Sequence, residues 1–367
     1  MSTALHALRD QGQSPWIDYL SRPFVREGDL AELIERGISG ATSNPTIFQG
    51  AIAEGSAYDE QLREVLETER DPKEVFLALA REDIRGACDL FRPVFDQNEK
   101  TRDGWVSLEV DPNLARDTAG TVAEAKRLHA MVGRPNLFIK IPGTEEGLPA
   151  IEETIAAGIP VNVTLLFSLQ RHREAAEAYI RGLRRLHESG GDLRTVASVA
   201  SFFVSRVDTE ADKRLDKIGG HDELKGTLAV ANAKLAYQTY LELFRGEEWQ
   251  RLEALGASPQ RCLWASTSTK NPAYRDVLYV EELIGPETVN TMPRETIEAV
   301  LDHAKVERTL DRDVDEARQT LERFAEAGID YDDVVKVLED EGVKKFADSF
   351  KALFAGVEEK RDEFVAA

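Results

Sequence analysis

Apolar and polar positions along the chain fall into two alternating regimes. Short apolar, often β-branched runs occupy positions 15–20, 40–43, 105–111, 136–144, 160–167, 196–204, 262–266 and 288–292. Between them, apolar residues recur at three- and four-residue spacing. The first regime predicts strands and the second helices. Strands separated by helices in turn predict parallel neighbours joined by crossovers. Helices are expected over 29–37, with Asp29 as N-cap and Gly37 at the C-terminal end, and over 58–68, 72–95, 113–132 and 145–157. Another starts after Ser168 as N-cap and runs through Tyr179, Leu183 and Leu186; two more cover 207–218 and 223–245.

Eight strands with intervening helices are the count for a closed (β/α)₈ TIM barrel, so the expected fold class is α/β with the barrel over 1–293. Beyond Pro293 the strand signal ends. Three helices are predicted over 314–327, 331–341 and 343–364, punctuated by Gly328 and Gly342, with apolar positions at Val334, Leu338, Phe346, Phe350 and Leu353. This tail, 294–367, is expected to pack on the barrel as additional C-terminal helices within one domain, 1–367.

Within the strands, alternation separates two faces. Val106, Leu108 and Val110 share one face, and Ser107, Glu109 and Asp111 the other; Val161, Val163 and Leu165 oppose Asn162 and Thr164. In the fourth run, Leu137, Ile139 and Ile141 oppose Phe138 and Lys140. If the apolar face of each strand packs under the helices, the other points into the barrel. The inward or strand-end polar set is then Asp18, Asn44, Glu109, Lys140, Asn162, Thr164, Ser201 and Ser266. A lone strand lysine is explained as an edge charge that blunts aggregation. A whole set of inward polar groups is not, because each costs stability unless it finds partners.

The chemistry available to this set is specific. Desolvation disfavours the charged form of Lys140, and a neutral amine attacks a ketone to give a carbinolamine and then an iminium ion. The iminium is an electron sink that lets a nearby carbon–carbon bond break. Asp18 and Glu109, on different strands, can carry the proton transfers, and Thr164 can hold a relay water. Asn44 and Asn162 are donors suited to substrate hydroxyls. Arg206 and Lys270 follow the sixth and seventh strands; taken singly each is a surface charge, but together with Ser266 they suit a phosphate.

Composition narrows the partners. A net charge of −21 argues against nucleic acid and against anionic membranes. Local cations can still bind a small anion, because charge is screened over about 8 Å at physiological salt. Cys88 and Cys262 lie far apart without a metal-ligand pattern, so free thiols in a reducing compartment are expected and no metal site is. Arg9 and Asp10 interrupt any leading apolar run, and no apolar stretch is long enough to span a bilayer. A soluble, cytoplasmic protein is expected.

Five motifs stand in order around Lys140: Ala41-Thr42-Ser43-Asn44-Pro45-Thr46, Ser107-Leu108-Glu109-Val110-Asp111, Phe138-Ile139-Lys140-Ile141-Pro142-Gly143-Thr144, Asn162-Val163-Thr164-Leu165-Leu166-Phe167-Ser168 and Ser201-Phe202-Phe203-Val204-Ser205-Arg206. Together with Leu263-Trp264-Ala265-Ser266-Thr267 and the helical tail, they resemble the transaldolase family in its longer bacterial branch. The resemblance implies class I aldolase chemistry without a cofactor, in a monomer or homodimer. A dihydroxyacetone unit would pass from sedoheptulose 7-phosphate to glyceraldehyde 3-phosphate, giving erythrose 4-phosphate and fructose 6-phosphate in the non-oxidative pentose phosphate pathway. It further implies that Lys140 is the Schiff-base lysine, Asp18 the acid/base at the scissile bond, and Glu109 with Thr164 the managers of water. Asn44, Asn162 and Ser201 would hold the dihydroxyacetone moiety, and Arg206, Ser266 and Lys270 the phosphate. Ser266-Thr267-Ser268-Thr269-Lys270 stands where the shorter branch has Ser-Phe-Arg, which leaves both Ser266 and Ser268 open as the serine and Lys270 open as the replacement cation. Two rival readings are a fructose 6-phosphate aldolase-like enzyme, which releases dihydroxyacetone, and a catalytically silent sugar-phosphate-binding barrel.

Overall fold

In the computed structural model, which describes residues 3–53, 56–97 and 103–366, the strands close on themselves in sequence order. They are β1 (Gln13–Asp18), β2 (Gly40–Thr42), β3 (Trp105–Glu109), β4 (Leu137–Pro142), β5 (Val161–Leu166), β6 (Ser198–Phe203), β7 (Arg261–Ala265) and β8 (Thr288–Met292). All pairings are parallel, and β1 closes on β8 with Pro15 opposite Asn290. This is the predicted (β/α)₈ barrel. The first strand starts two residues earlier than expected, which makes Asp18 its last residue.

Helices surround the barrel, with several differences from the sequence expectation. Ser168 caps Leu169–Glu188 as predicted, accepting from the Arg171 N–H. Gly28, not Asp29, occupies the cap position of Asp29–Glu35. The segment expected as 113–132 is a 3₁₀ turn, Pro112–Leu114, followed by Thr118–Val132, because Asp117 accepts from the Gly120 N–H and starts a new helix. The segment expected as 223–245 is likewise divided. Asp212 accepts from Gly226 N and Asp208 from Ala229 N, so Leu228–Phe244 begins on carboxylates of the preceding helix. Short helices at Ala4–Asp10, Arg22–Arg26, Pro45–Ala53, Glu247–Ala254, Leu278–Glu282 and Arg294–His303 carried too little periodicity to be predicted.

The largest departure is at the end of the chain, where Tyr331–Ala366 is one continuous helix rather than two. Gly342 does not break it. A side chain there would start 3.0 Å from Leu165 Cδ2, so the glycine lets the helix backbone lie close to β5. Leu165 has φ 59°, and the register of β5 against β6 shifts between Val163 and Leu166. That irregularity brings Leu165 against the final helix, so strict alternation fails at this residue. Tyr331, which donates to Asn232 Oδ1, Thr46 with Ser349, and Lys360 with Asp59 tie the helix to three other helices. Among the described residues, no helix is long and apolar enough to cross a membrane.

The barrel interior is layered. Trp105 stacks on Phe138 with ring centroids 4.1 Å apart, and Trp16 lies 6.2 Å from Phe138. Gly40 makes room for the Trp16 indole, which would sit 2.5 Å from a Cβ there. Below these rings, at the N-terminal ends of the strands, the buried Asp103 carboxylate takes the Arg261 guanidinium at 3.0 Å and the Ser14 hydroxyl at 2.8 Å. Aromatic rings and a buried ion pair therefore occupy the lower barrel, below the C-terminal mouth.

Removing one member of a buried ion pair strands the other. Asp103→Ala is expected to lower unfolding free energy by about 3–5 kcal/mol in guanidinium titrations, and a loss below about 1 kcal/mol would contradict this role for the pair.

Candidate active site

The strand register sets the height of the site. Glu109 on β3 is opposite Lys140 on β4, which is opposite Asn162 on β5. Lys140 is 4% exposed, Glu109 7% and Asn162 fully buried. The Lys140 ammonium nitrogen lies 3.2 Å from Glu109 Oε2 and donates to the Ser43 carbonyl at 3.3 Å. Neither Glu109 oxygen receives a well-directed hydrogen bond. Burial therefore dominates Glu109 and pushes its carboxyl up to about 7, against the attraction of Lys140.

Asp18 ends β1 on the neighbouring side of the mouth. Its Oδ1 accepts from the Thr42 hydroxyl at 2.7 Å, and Thr42 Oγ1 lies 2.7 Å from Thr291 Oγ1. With the Thr42 proton directed at the carboxylate, Thr291 is the donor in the second bond. Burial raises Asp18 above the ordinary carboxylate range; Lys140, the Thr42 hydrogen bond and Arg206 oppose that rise, and Glu295 adds to it. Two carboxylates thus flank one amine, both with raised proton affinity.

A cavity of about 200 Å³ opens above them. Asp18, Lys140, Thr164, Asn44, Ser201, Arg206, Ser266 and Lys270 of the expected set line it. Glu109 and Asn162 are not on its surface. Glu109 stands behind Lys140, and Asn162 donates to Ser107 Oγ at 3.1 Å and accepts from Ser201 Oγ at 2.7 Å. Asn162 therefore reaches the cavity through Ser201. Asn44 uses Oδ1 to accept from Ile47 N at the start of the following helix. The buried Thr164 hydroxyl has no protein partner.

At the far side of the cavity, cations gather. Arg206 enters at the first turn of Ser205–Ile218, with its guanidinium carbon 5.2 Å from the Phe203 ring centroid. Ser266 takes φ 56° and places Oγ 2.9 Å from Ser205 Oγ. Ser268 also lines the cavity and accepts from the exposed Lys270 at 2.6 Å. Among the described residues, neither Arg206 nor Lys270 has a carboxylate within ion-pair distance, in a chain of net charge −21.

Sequence reasoning missed several groups at this mouth. Thr42, Thr291, Glu295 and Phe346 line the cavity. Lys345, on the last helix, is pushed below the ordinary lysine range mainly by Arg206, then by burial and Lys270, so its charge belongs to the same cluster. Thr42 could have been found, since it alternates with Gly40 on the inward face. Phe346 carried only a helical apolar signal, and Lys345 none.

Barrel and site together define a (β/α)₈ enzyme with a lysine–carboxylate centre at the C-terminal ends of its strands. The comparison with protein families narrows this: residues 15–357 match the family described as Transaldolase/Fructose-6-phosphate aldolase, and the chain belongs to that family. A protein of Acidothermus cellulolyticus named Transaldolase is 52% identical over 360 residues, covering 97% of this chain and 96% of that protein. One from Thermobifida fusca, also named Transaldolase, is 51% identical over 96% of this chain and 97% of its own length. Streptomyces coelicolor Transaldolase 2 is 50% identical over 98% and 97%.

The raised Glu109 carboxyl has a consequence for stability. Between pH 4.5, its ordinary value, and about 7, the unfolded chain has shed this proton while the folded chain retains it. The folded state then binds more protons, so stability falls as pH rises through that window. Asp208, buried and also raised to about 7, contributes in the same direction. In urea titrations across this range, Glu109→Gln is expected to show a shallower decline than the unsubstituted protein; equal slopes would contradict the assignment.

Proposed function

We propose that the chain is a transaldolase in which Lys140 forms the Schiff base with the ketose donor. The observation that carries this reading is the buried amine 3.2 Å from a carboxyl of raised proton affinity, on the floor of a cavity with a second carboxyl at its side. Proton transfer from Lys140 to Glu109 frees the amine lone pair for attack on the carbonyl of a ketose phosphate. The former carbonyl oxygen leaves as water, taking protons from Glu109 by way of a water on the Thr164 hydroxyl, and the iminium forms. Asp18 then removes the proton from the hydroxyl beyond the scissile bond. That bond breaks, its electrons move into the iminium, and the aldose phosphate departs from an enamine on Lys140. An incoming aldehyde is attacked by the enamine carbon, Asp18 returns its proton to the new oxygen, and hydrolysis of the iminium releases the product ketose.

Asn44 and Ser201 face the three-carbon unit, with Ser201 held by Asn162. Arg206, Lys270 and the serines at 266 and 268 take the phosphate, and Lys345 adds positive potential. The reaction is transfer of dihydroxyacetone from sedoheptulose 7-phosphate to glyceraldehyde 3-phosphate and its reverse, within the non-oxidative pentose phosphate pathway. The contacts of the final helix with helices on several sides of the barrel support one catalytic unit over the whole chain. Two buried free thiols suit work in the reducing cytoplasm.

The experiment is a coupled assay of glyceraldehyde 3-phosphate production from fructose 6-phosphate, with and without erythrose 4-phosphate. Production that depends on erythrose 4-phosphate is expected, with a drop of roughly 10⁴-fold or more in Lys140→Met at unchanged far-ultraviolet circular dichroism. Production without the acceptor would favour the aldolase activity that the family description also includes. Near-normal rates in Lys140→Met would remove the lysine from the chemistry.

A further inference from the structure

We propose that Phe346, held over Lys140 by the last helix, is a specificity-determining residue that sets how the three-carbon enamine divides between transfer to an aldehyde and hydrolytic release. The inference rests on Lys140 being the Schiff-base lysine.

The Phe346 ring centroid lies 5.4 Å from the Lys140 nitrogen, and the residue is 4% exposed while lining the same cavity. Much of the remaining lining is hydroxyl, carboxylate, amide or cation, from Asp18, Thr42, Asn44, Ser201 and Arg206. Such groups bind water. The ring beside the reacting nitrogen neither donates to water nor accepts strongly from it, and its π face favours a cationic nitrogen at this range.

The backbone determines the position of the ring. Gly342, one turn earlier, lets the helix lie against Leu165 and Phe167. One turn later Phe350 packs edge-on to Phe76 at 5.7 Å and lies 4.5 Å from Phe354, while Phe76 meets Phe48 at 5.4 Å. Phe346 is thus seated between a close helix–strand contact on one side and an aromatic cluster on the other. A ring fixed in this way can hold water off the nitrogen without itself moving during turnover.

The two fates of the enamine differ in whether water reaches it before an aldehyde does. In transfer, the enamine carbon forms a bond to the aldehyde carbon and the aldehyde oxygen takes a proton. In release, the enamine carbon takes a proton instead. Water then adds to the iminium carbon, the carbon–nitrogen bond breaks, and the amine and one dihydroxyacetone are regenerated for each water consumed. Donor cleavage precedes both fates, so a residue that acts only on folding or on cleavage leaves their ratio unchanged.

The test uses the full-length enzyme with fructose 6-phosphate and erythrose 4-phosphate. Dihydroxyacetone reports release and sedoheptulose 7-phosphate reports transfer. Phe346→Ala is expected to raise the release-to-transfer ratio about tenfold, and Phe346→Leu, which keeps most of the bulk without the π face, about threefold. A ratio within about twofold of the unsubstituted enzyme in both variants would overturn the proposal. If the alanine variant does not fold, the leucine variant decides alone on the same criterion. Failure of the underlying reading looks different, since Lys140→Met would then keep near-normal rates of sedoheptulose 7-phosphate formation whatever the ratio in the Phe346 variants.

Discussion

The structure depends on keeping an amine and a carboxyl buried together, 3.2 Å apart, without neutralising both through a full set of hydrogen bonds. Burying a charge costs several kcal/mol unless it is paired and satisfied. Here the pairing is incomplete: Lys140 bonds the Ser43 carbonyl, and Glu109 accepts no well-directed bond. The cost appears as raised proton affinity at Glu109, and a carboxyl poised near neutrality is what a proton shuttle needs. The pair whose burial costs stability in the free protein is the same pair that the proposed reaction uses.

The rest of the barrel tolerates that cost by being conventional elsewhere. Its lower end holds a satisfied ion pair, Arg261 with Asp103, and its middle is packed with Trp16, Trp105 and Phe138. The Asn162, Ser107 and Ser201 side chains beside Lys140 bond one another. At the mouth the Thr164 hydroxyl has no protein partner, and among the described residues neither Arg206 nor Lys270 has a carboxylate within ion-pair distance. In the proposed reading these groups meet the substrate, with the amine at one end and the phosphate-binding cations at the other.

Much of this was legible in the sequence, for one physical reason: a strand exposes alternate residues to opposite faces. Alternation assigned Asp18, Glu109, Lys140 and Thr164 to the barrel interior, and strand endings brought in Asn44 and Arg206. It failed where geometry is not periodic. Leu165 takes a left-handed conformation and turns toward the last helix. Gly342, predicted to end that helix, instead allows it to continue close to β5. The Arg261–Asp103 pair joins residues distant in the chain, and no local pattern announces it. Phe346 and Lys345 reach the mouth only because the tail folds back over the barrel, a long-range contact that periodicity cannot encode.

The central claim is that Lys140, and no other lysine, bonds covalently to substrate carbon. Incubation with fructose 6-phosphate and borohydride, followed by peptide mass analysis, tests it directly. Reduction of the iminium predicts a stable three-carbon addition on the peptide that contains Lys140. An unmodified Lys140 peptide in folded, reacted protein, or the same addition on a different lysine, would contradict the account.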